Sequence, residues 1–205
     1  DRNKILSADE GGILITNKKI FFERALLITD FGARLDTLSI NSTKIFKETG
    51  FGYKHRIHPV AAAVAIKELD NLPGYIKLRL KKLNYFSKKL AKIPGIRPPV
   101  TRKFVSRGAY FSYRPFYIKK ELNNLPIEKF IIALKGEGLE VRRSGNRPLH
   151  LLPYFYKTCG KKRLRNSETF YNTTISFPTF TFEKISFIDL YIKAIKKVCM
   201  HYQKK

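Results

Sequence analysis

The stretch that decides how this chain is interpreted is Lys4-Ile5-Leu6-Ser7-Ala8-Asp9-Glu10-Gly11-Gly12-Ile13-Leu14-Ile15-Thr16. Its apolar residues 13–16 follow a glycine pair and precede Asn17, a pattern that predicts a short buried strand. A lysine beside a buried strand and a glycine turn can lose its hydration, and a desolvated lysine forms Schiff bases readily. Lys4 is therefore a candidate for covalent chemistry. The ordinary alternative is a solvated surface charge, because the chain has 41 lysines and arginines.

The composition is that of a basic, folded chain. Of its 205 residues, 43% are hydrophobic and 13% aromatic, which excludes a wholly disordered protein. The 41 basic and 16 acidic residues give a formal net charge of +25. This charge favours an acidic partner, such as nucleic acid, an anionic membrane surface or a phosphorylated substrate. Two cysteines without metal-ligand spacing predict no metal site, and no apolar run is long enough to span a membrane.

Apolar periodicity and glycine or proline punctuation predict the secondary structure. Helices are expected over residues 20–28, 59–72, 75–90, 126–134 and 185–202, with a break at Pro73-Gly74. Besides residues 13–16, strands are expected over residues 106–113, 139–141 and 173–177, and loops over 33–52 and 142–169. These elements divide the chain into a first segment (1–72), a linking helix (73–95) and an α+β domain (96–205).

Two further groups of residues follow the lysine stretch in order. The first is Gly50-Phe51-Gly52-Tyr53-Lys54-His55-Arg56-Ile57-His58-Pro59, followed by Ala61-Ala62-Ala63 and Leu69-Asp70-Asn71-Leu72. The second comprises Gly108-Ala109-Tyr110, Gly136-Glu137-Gly138, Pro148-Leu149-His150 and Ile188-Asp189-Leu190-Tyr191-Ile192. Taken with the lysine stretch, they resemble the DegT/DnrJ/EryC1/StrS family of pyridoxal phosphate (PLP)-dependent sugar aminotransferases over nearly the whole chain.

The resemblance implies an α/β fold, namely the C-terminal part of a fold-type-I PLP-dependent transferase. Residues 1–72 would then be part of the PLP-binding large domain, and residues 96–205 the α+β small domain. It also implies transfer of an amino group from an amino-acid donor to a keto-sugar or keto-cyclitol, in nucleotide-sugar, polysaccharide or secondary-metabolite biosynthesis. A cytoplasmic homodimer with shared active sites is the expected assembly. Lys4 would bind PLP covalently and then move a proton between the donor and the cofactor.

The remaining site residues are also implied by the resemblance. Lys54 stands where the family has an asparagine that contacts the cofactor phosphate in the neighbouring subunit, and Arg56 follows on the same segment. A lysine can bind phosphate as a point charge. His150 is expected to contact substrate or to be structural. Asp9 replaces a family glycine. The chain starts just before Lys4, so we expect an upstream half to carry the phosphate-binding turn, the ring that stacks on the pyridine and the aspartate that pairs with its nitrogen.

Two other classes of function stay open at this point. One is a non-catalytic remnant that keeps only a dimerisation surface. The other is a basic protein that binds nucleic acid or an anionic surface, which would explain the net charge directly. The basic residues are scattered and no nucleic-acid motif is present, so nucleic acid is not the favoured partner. His55 and His58 have no carboxylate or cysteine nearby at ligand spacing, which does not favour a metal pair.

Overall fold

The structure is a computed structural model that describes residues 4–8, 10–159 and 162–203. Its contacts divide the chain into two compact units, Asp1–Leu72 (unit 1) and Pro73–Lys205 (unit 2). None of the described helices is both long and apolar enough to cross a lipid bilayer.

Unit 1 is helical. It contains α1 (Lys19–Thr29), a 3₁₀ turn (Ala33–Thr37), α2 (Asn41–Lys44) and the first part of α3 (Pro59–Leu90). The helix predicted over residues 20–28 is thus present, and Lys18 is its N-cap residue. The stretch predicted as a loop, 33–52, contains the 3₁₀ turn and α2.

The strand predicted over residues 13–16 is wrong for this chain. These residues form no strand, and Ile13 and Ile15 are 86% and 88% exposed. A strand needs a neighbour to accept its ladder hydrogen bonds, and the described part of unit 1 has no paired strand to offer.

The buried carboxylate of Glu23 holds the middle of unit 1 together. It accepts hydrogen bonds from the backbone N–H groups of Ser39 (2.9 Å) and Ile40 (3.1 Å), and from the Ser39 and Thr43 hydroxyls. Burial alone would raise the pKa of Glu23, but the hydrogen bonds from Thr43, Ser39 and Ile40 outweigh it and lower the pKa to about 2. A glutamate on α1 therefore fixes the turn that enters α2.

Helix α3 continues through the predicted break and belongs to both units. Pro73 lies inside this helix, where its ring removes one hydrogen bond to the carbonyl of Leu69. Pro73, Gly74 and Leu69 are all exposed, so water can solvate the freed carbonyl. Further along the helix, the side chains of Leu83, Phe86 and Leu90 are fully buried in the core of unit 2.

Unit 2 contains short antiparallel strands. β1 (Ile96–Arg97) pairs with β2 (Phe116–Tyr117), and β3 (Arg142–Arg143) pairs with β4 (Ile175–Ser176). Isolated bridges, Tyr113 with Phe177 and Phe116 with Thr174, join the β2 strand to the β4 strand. Of the predicted strands, 173–177 includes β4, whereas β2 and β3 begin after the stretches predicted at 106–113 and 139–141.

The helices of unit 2 are α4 (Ile127–Gly136), α5 (Pro153–Cys159), α6 (Arg165–Thr173) and α7 (Ile185–Gln203), with 3₁₀ turns at Lys119–Leu122 and Leu149–Leu151. The prediction of a loop over residues 142–169 is therefore wrong, because β3, α5 and the start of α6 lie there. The core is aromatic. The Phe86 ring lies 5.2 Å from Tyr113, 5.3 Å from Phe180 and 5.9 Å from Phe177, measured between ring centroids.

Candidate active site

Lys4 lies at the start of the described chain and is exposed, whereas the four residues that follow it are half-buried. A substantial part of Lys4 is therefore in contact with solvent. The side chain is accessible to a small molecule, and its role as the cofactor lysine stays a prediction.

The segment that carries Lys54 and Arg56 is fixed to the end of α1 by a close approach at Gly52. A Cβ atom on Gly52 would lie 2.0 Å from the Asp30 carbonyl oxygen and 2.9 Å from that of Leu27, so only glycine fits. The next residues continue this attachment, because the Tyr53 N–H donates to the Ile28 carbonyl (2.7 Å) and the His55 N–H to that of Thr29 (3.0 Å).

Residues 53–58 of this extended segment are all exposed, and Lys54 and Arg56 are among them. The rings of Tyr53 and His55 stack with their centroids 5.4 Å apart and their planes 8° apart, which stiffens the segment further. Two cations are thus presented to solvent on a backbone that is fixed on one side.

The two cations differ in their surroundings. Arg56 lies in the field of the buried Asp30 carboxylate, which accepts hydrogen bonds from the N–H groups of Gly32 (3.0 Å) and Phe31 (2.8 Å). The Gly32 and Phe31 hydrogen bonds outweigh burial and, with the charges of Arg56 and Arg34, lower the pKa of Asp30. Lys54 has no hydrogen bond or ion pair within the described residues, so none of them compensates its charge.

The glycine pair of the lysine stretch lies beside this segment. A Cβ atom on Gly11 would lie 2.9 Å from the Ile57 Cδ1 atom. The stretch that follows Lys4 and the segment that carries Lys54 and Arg56 therefore meet within unit 1, although they are far apart in sequence.

The histidines of the same segment have a structural use. His58 Nδ1 accepts the N–H of Val60 (3.2 Å) and so satisfies a backbone donor at the start of α3. Within residues 4–8, 10–159 and 162–203, no three histidine, cysteine or acidic side chains are grouped as metal ligands would be.

His150 lies in unit 2 and is buried, and its Nε2 atom is 3.1 Å from Glu168 Oε1 on α6. Glu168 also accepts the N–H of Leu164 (3.0 Å), and Arg163 Nε lies 3.6 Å from its other oxygen. The hydrogen bond with His150, together with Leu164 and Arg163, lowers the pKa of Glu168 against the effect of burial. The imidazole is thus held in one orientation.

Sequence reasoning missed Glu168 because it falls in the stretch predicted as loop. The side chain of Glu168 bonds back to the N–H of Leu164, the N-cap residue of α6. The usual capping-box signature is absent from the sequence, because the N-cap residue is Leu164 and Glu168 lies four residues after it; an acidic residue in the first turn was a weaker sign of α6.

Comparison with known proteins agrees with the resemblance seen in the sequence. A sequence profile of the DegT/DnrJ/EryC1/StrS aminotransferase family matches residues 2–185. The spore coat polysaccharide biosynthesis protein SpsC of Bacillus subtilis is 24% identical over 203 residues, which cover 95% of this chain and 51% of SpsC. The chain spans about half the length of the curated relatives it matches.

Solved structures confirm the fold class. DesI, crystallised in the presence of its TDP-sugar product, matches with a TM-score of 0.77 and 20% identity over 98% of this chain and 48% of DesI. The Escherichia coli GDP-4-keto-6-deoxy-D-mannose-3-dehydratase with bound hydrated PLP matches with a TM-score of 0.77 and 19% identity, over 95% of this chain and 52% of the enzyme. The chain thus has the predicted fold of part of a fold-type-I PLP-dependent transferase.

Proposed function

The chain belongs to the DegT/DnrJ/EryC1/StrS aminotransferase family, and from this we propose that it forms the lysine-bearing part of a PLP-dependent sugar aminotransferase. The observation that carries the proposal is the family match over residues 2–185, which includes Lys4, Lys54, Arg56 and His150. The complete enzyme would move an amino group from an amino acid to a keto-sugar or keto-cyclitol. The TDP-sugar product of DesI supports a nucleotide-linked sugar as the substrate.

The residues of unit 1 fit the chemistry of PLP. An exposed primary amine at Lys4 can bond to an aldehyde, and the exposed cations Lys54 and Arg56 can neutralise a phosphate. When bound, PLP supplies the electron sink that lowers the cost of removing the α-proton of an amino acid.

Each residue then has a proposed task. The Lys4 amine would hold the cofactor until the amino-acid donor displaces it. The freed amine would then take the proton from the α-carbon of the donor and return it at the C4′ carbon of the cofactor. Lys54 and Arg56 would neutralise the cofactor phosphate in the neighbouring subunit. His150 would orient the substrate, because its hydrogen bond to Glu168 fixes the ring. The net charge of +25 suits an anionic nucleotide-sugar. A cytoplasmic location stays a prediction.

Borohydride trapping tests the role of Lys4. The complete enzyme that contains this chain would be purified with PLP, reduced with borohydride and digested for mass spectrometry. We expect the pyridoxyl group on Lys4. The Lys4→Arg variant, which keeps the charge, should lose the adduct while retaining its circular dichroism spectrum. A stable adduct on another lysine, with Lys4 unmodified, would disprove the assignment.

Mixing two inactive variants tests the shared active site of the proposed homodimer. If each site uses Lys4 of one subunit and Lys54 of the other, a dimer of Lys4→Ala and Lys54→Ala subunits keeps one intact site. Random mixing makes about half of the dimers mixed, so about a quarter of the wild-type activity should return. If mixed dimers are demonstrated by native mass spectrometry and no activity returns, Lys54 does not act across the interface.

A further inference from the structure

Unit 2 contains a cavity of about 420 Å³ that the proposed function does not use. One wall is formed by Arg114, Ser144 and Gly145, and the other includes Asn166, Phe170 and Tyr171 of α6. Pockets of this size typically hold a small organic molecule.

Two polar atoms at this cavity are buried without a partner. The Arg114 Nε and Ser144 Oγ atoms make no hydrogen bond within the described residues, and Ser144 is only 1% exposed. No other side-chain nitrogen or oxygen in the described part of the chain is buried and unpaired in this way. Such groups are rare in folded proteins because they lose their hydration without replacement, so two at one cavity indicate that a ligand completes them.

The geometry around Arg114 presents its guanidinium at the wall. Gly145 has a φ of +65°, and a Cβ atom on it would lie 3.5 Å from Arg114 Nη1 and 3.9 Å from Cζ. The planar guanidinium therefore packs against the bare backbone of Gly145. Its fork of N–H donors matches the oxygens of a carboxylate or a phosphate.

The charge of Arg114 is not balanced by the wall. The described residues that line the cavity include no acidic side chain, and their other polar groups are the amides of Asn146 and Asn166 and the hydroxyls of Ser144, Ser167 and Tyr171. The neighbouring cavity, of about 560 Å³, differs in having carboxylates in its wall: its Arg143 pairs with Glu128 at 2.8 Å and its Arg163 lies 3.6 Å from Glu168, although Lys119 and Arg165 also line it. An anionic ligand is therefore expected in the cavity of Arg114, where no described carboxylate competes for the cation.

We propose that the cavity of Arg114 binds an oxyanion, a carboxylate or a phosphate, carried by a small molecule with an aromatic or apolar body. Arg114 and Ser144 bind the oxyanion, and the body packs against Phe170 and Tyr171. The ligand needs this aromatic or apolar part to fill the cavity, because the cavity is several times larger than an inorganic phosphate. The site lies wholly in unit 2 and requires neither PLP nor a partner subunit, so it does not rest on the proposed function.

Calorimetric titration of the 205-residue chain tests the site with inorganic phosphate, phenyl phosphate and benzoate at constant ionic strength. We expect one molecule per chain, with phenyl phosphate or benzoate at least tenfold tighter than inorganic phosphate. The tighter of the two aromatic probes identifies the oxyanion. Failure of all three probes to bind would overturn the proposal.

Charge-matched variants show whether the binding is local. Arg114→Gln should weaken binding of the aromatic probe at least tenfold, and Arg114→Lys should weaken it as well because the fork is lost. The control, Arg142→Gln, removes an exposed charge two residues from Ser144 and should change affinity less than twofold. Equal losses in Arg114→Gln and Arg142→Gln would mean that only net charge matters and would overturn the site.

Ser144→Ala separates a ligand-binding hydroxyl from a structural one. Removing an unpaired buried hydroxyl should raise the melting temperature of the ligand-free chain and weaken probe binding several-fold. This variant also keeps the test decisive if Arg114→Gln fails to fold. A lower melting temperature with unchanged affinity would show that Ser144 is structural and would contradict the proposal.

Discussion

Replacing Gly52 with alanine tests whether contact with α1 fixes the segment that carries Lys54 and Arg56. The new Cβ atom would lie 2.0 Å from the Asp30 carbonyl oxygen, whereas real Cβ contacts essentially never fall below 3.0 Å. The obstacle is backbone, so it cannot rotate away. The segment must therefore move outward by about 1 Å, the difference between these two distances.

That movement would break the attachment of the segment. The hydrogen bond from Tyr53 to Ile28, now 2.7 Å, would lengthen to about 3.7 Å, and the one from His55 to Thr29 would lengthen from 3.0 Å to about 4.0 Å. Each backbone hydrogen bond contributes about 1 kcal/mol, so the loss is about 2 kcal/mol. This corresponds to a roughly 30-fold faster amide exchange at Tyr53 and His55.

Hydrogen exchange measured by mass spectrometry on peptides from residues 51–58 would detect this change. Gly12→Ala is the matched control, because a Cβ atom there meets nothing within 4 Å and exchange should stay at the wild-type rate. Peptides from the core of unit 2 should not change in either variant. Wild-type protection of residues 53–55 in Gly52→Ala would refute the close approach as the cause of their order.

Three further predictions concern stability. Phe86→Ala should lower the unfolding free energy of unit 2 by about 3–5 kcal/mol in a denaturant titration, because the ring is fully buried among aromatic side chains; a loss below about 1 kcal/mol would contradict that packing. The fragment 73–205 should unfold cooperatively, whereas the fragment 96–205 should not, since the shorter fragment lacks the buried side chains of Leu83, Phe86 and Leu90. In calorimetry, a cooperative unfolding transition of the fragment 96–205 would contradict this prediction. The pKa of Glu23 falls from 4.5 to about 2 on folding, so its contribution to the stability of unit 1 is present above about pH 4.5 and is lost as the pH falls towards 2. Glu23→Gln should abolish this acid dependence in the hydrogen exchange of the Ser39 and Ile40 amides. An unchanged acid transition in the variant would contradict the prediction.

The sequence predicted the elements that have a clear apolar period. α1, α4 and α7 lie within a few residues of their predicted bounds, and α4 and α7 repeat their buried side chains at helical spacing. α1 was found from its apolar residues, although the one residue that it buries is Glu23. α6 has no fully buried residue, so no such period exists to be found. The break at Pro73 was predicted from local preference alone, which a long helix with buried residues beyond the proline can override.

The site could be predicted only in part. The order of the motifs pointed to Lys4, Lys54, Arg56 and His150, but the bond that orients His150 comes from Glu168, in a stretch without apolar periodicity. The unpaired atoms of Arg114 and Ser144 could not have been found from sequence. They are notable because the tertiary structure leaves both atoms without a hydrogen-bond partner, and no local sequence pattern encodes that.

The exposure of Lys4 changes what must activate it. A hydrated lysine amine is a weak nucleophile, and the chain offers many other exposed lysines to an aldehyde. Selectivity for Lys4 therefore has to come from groups that position the cofactor and remove water around this one amine. An adduct confined to Lys4 in the complete enzyme, but spread over several lysines in the 205-residue chain, would locate that selectivity outside this chain. An adduct confined to Lys4 in both would locate it within unit 1.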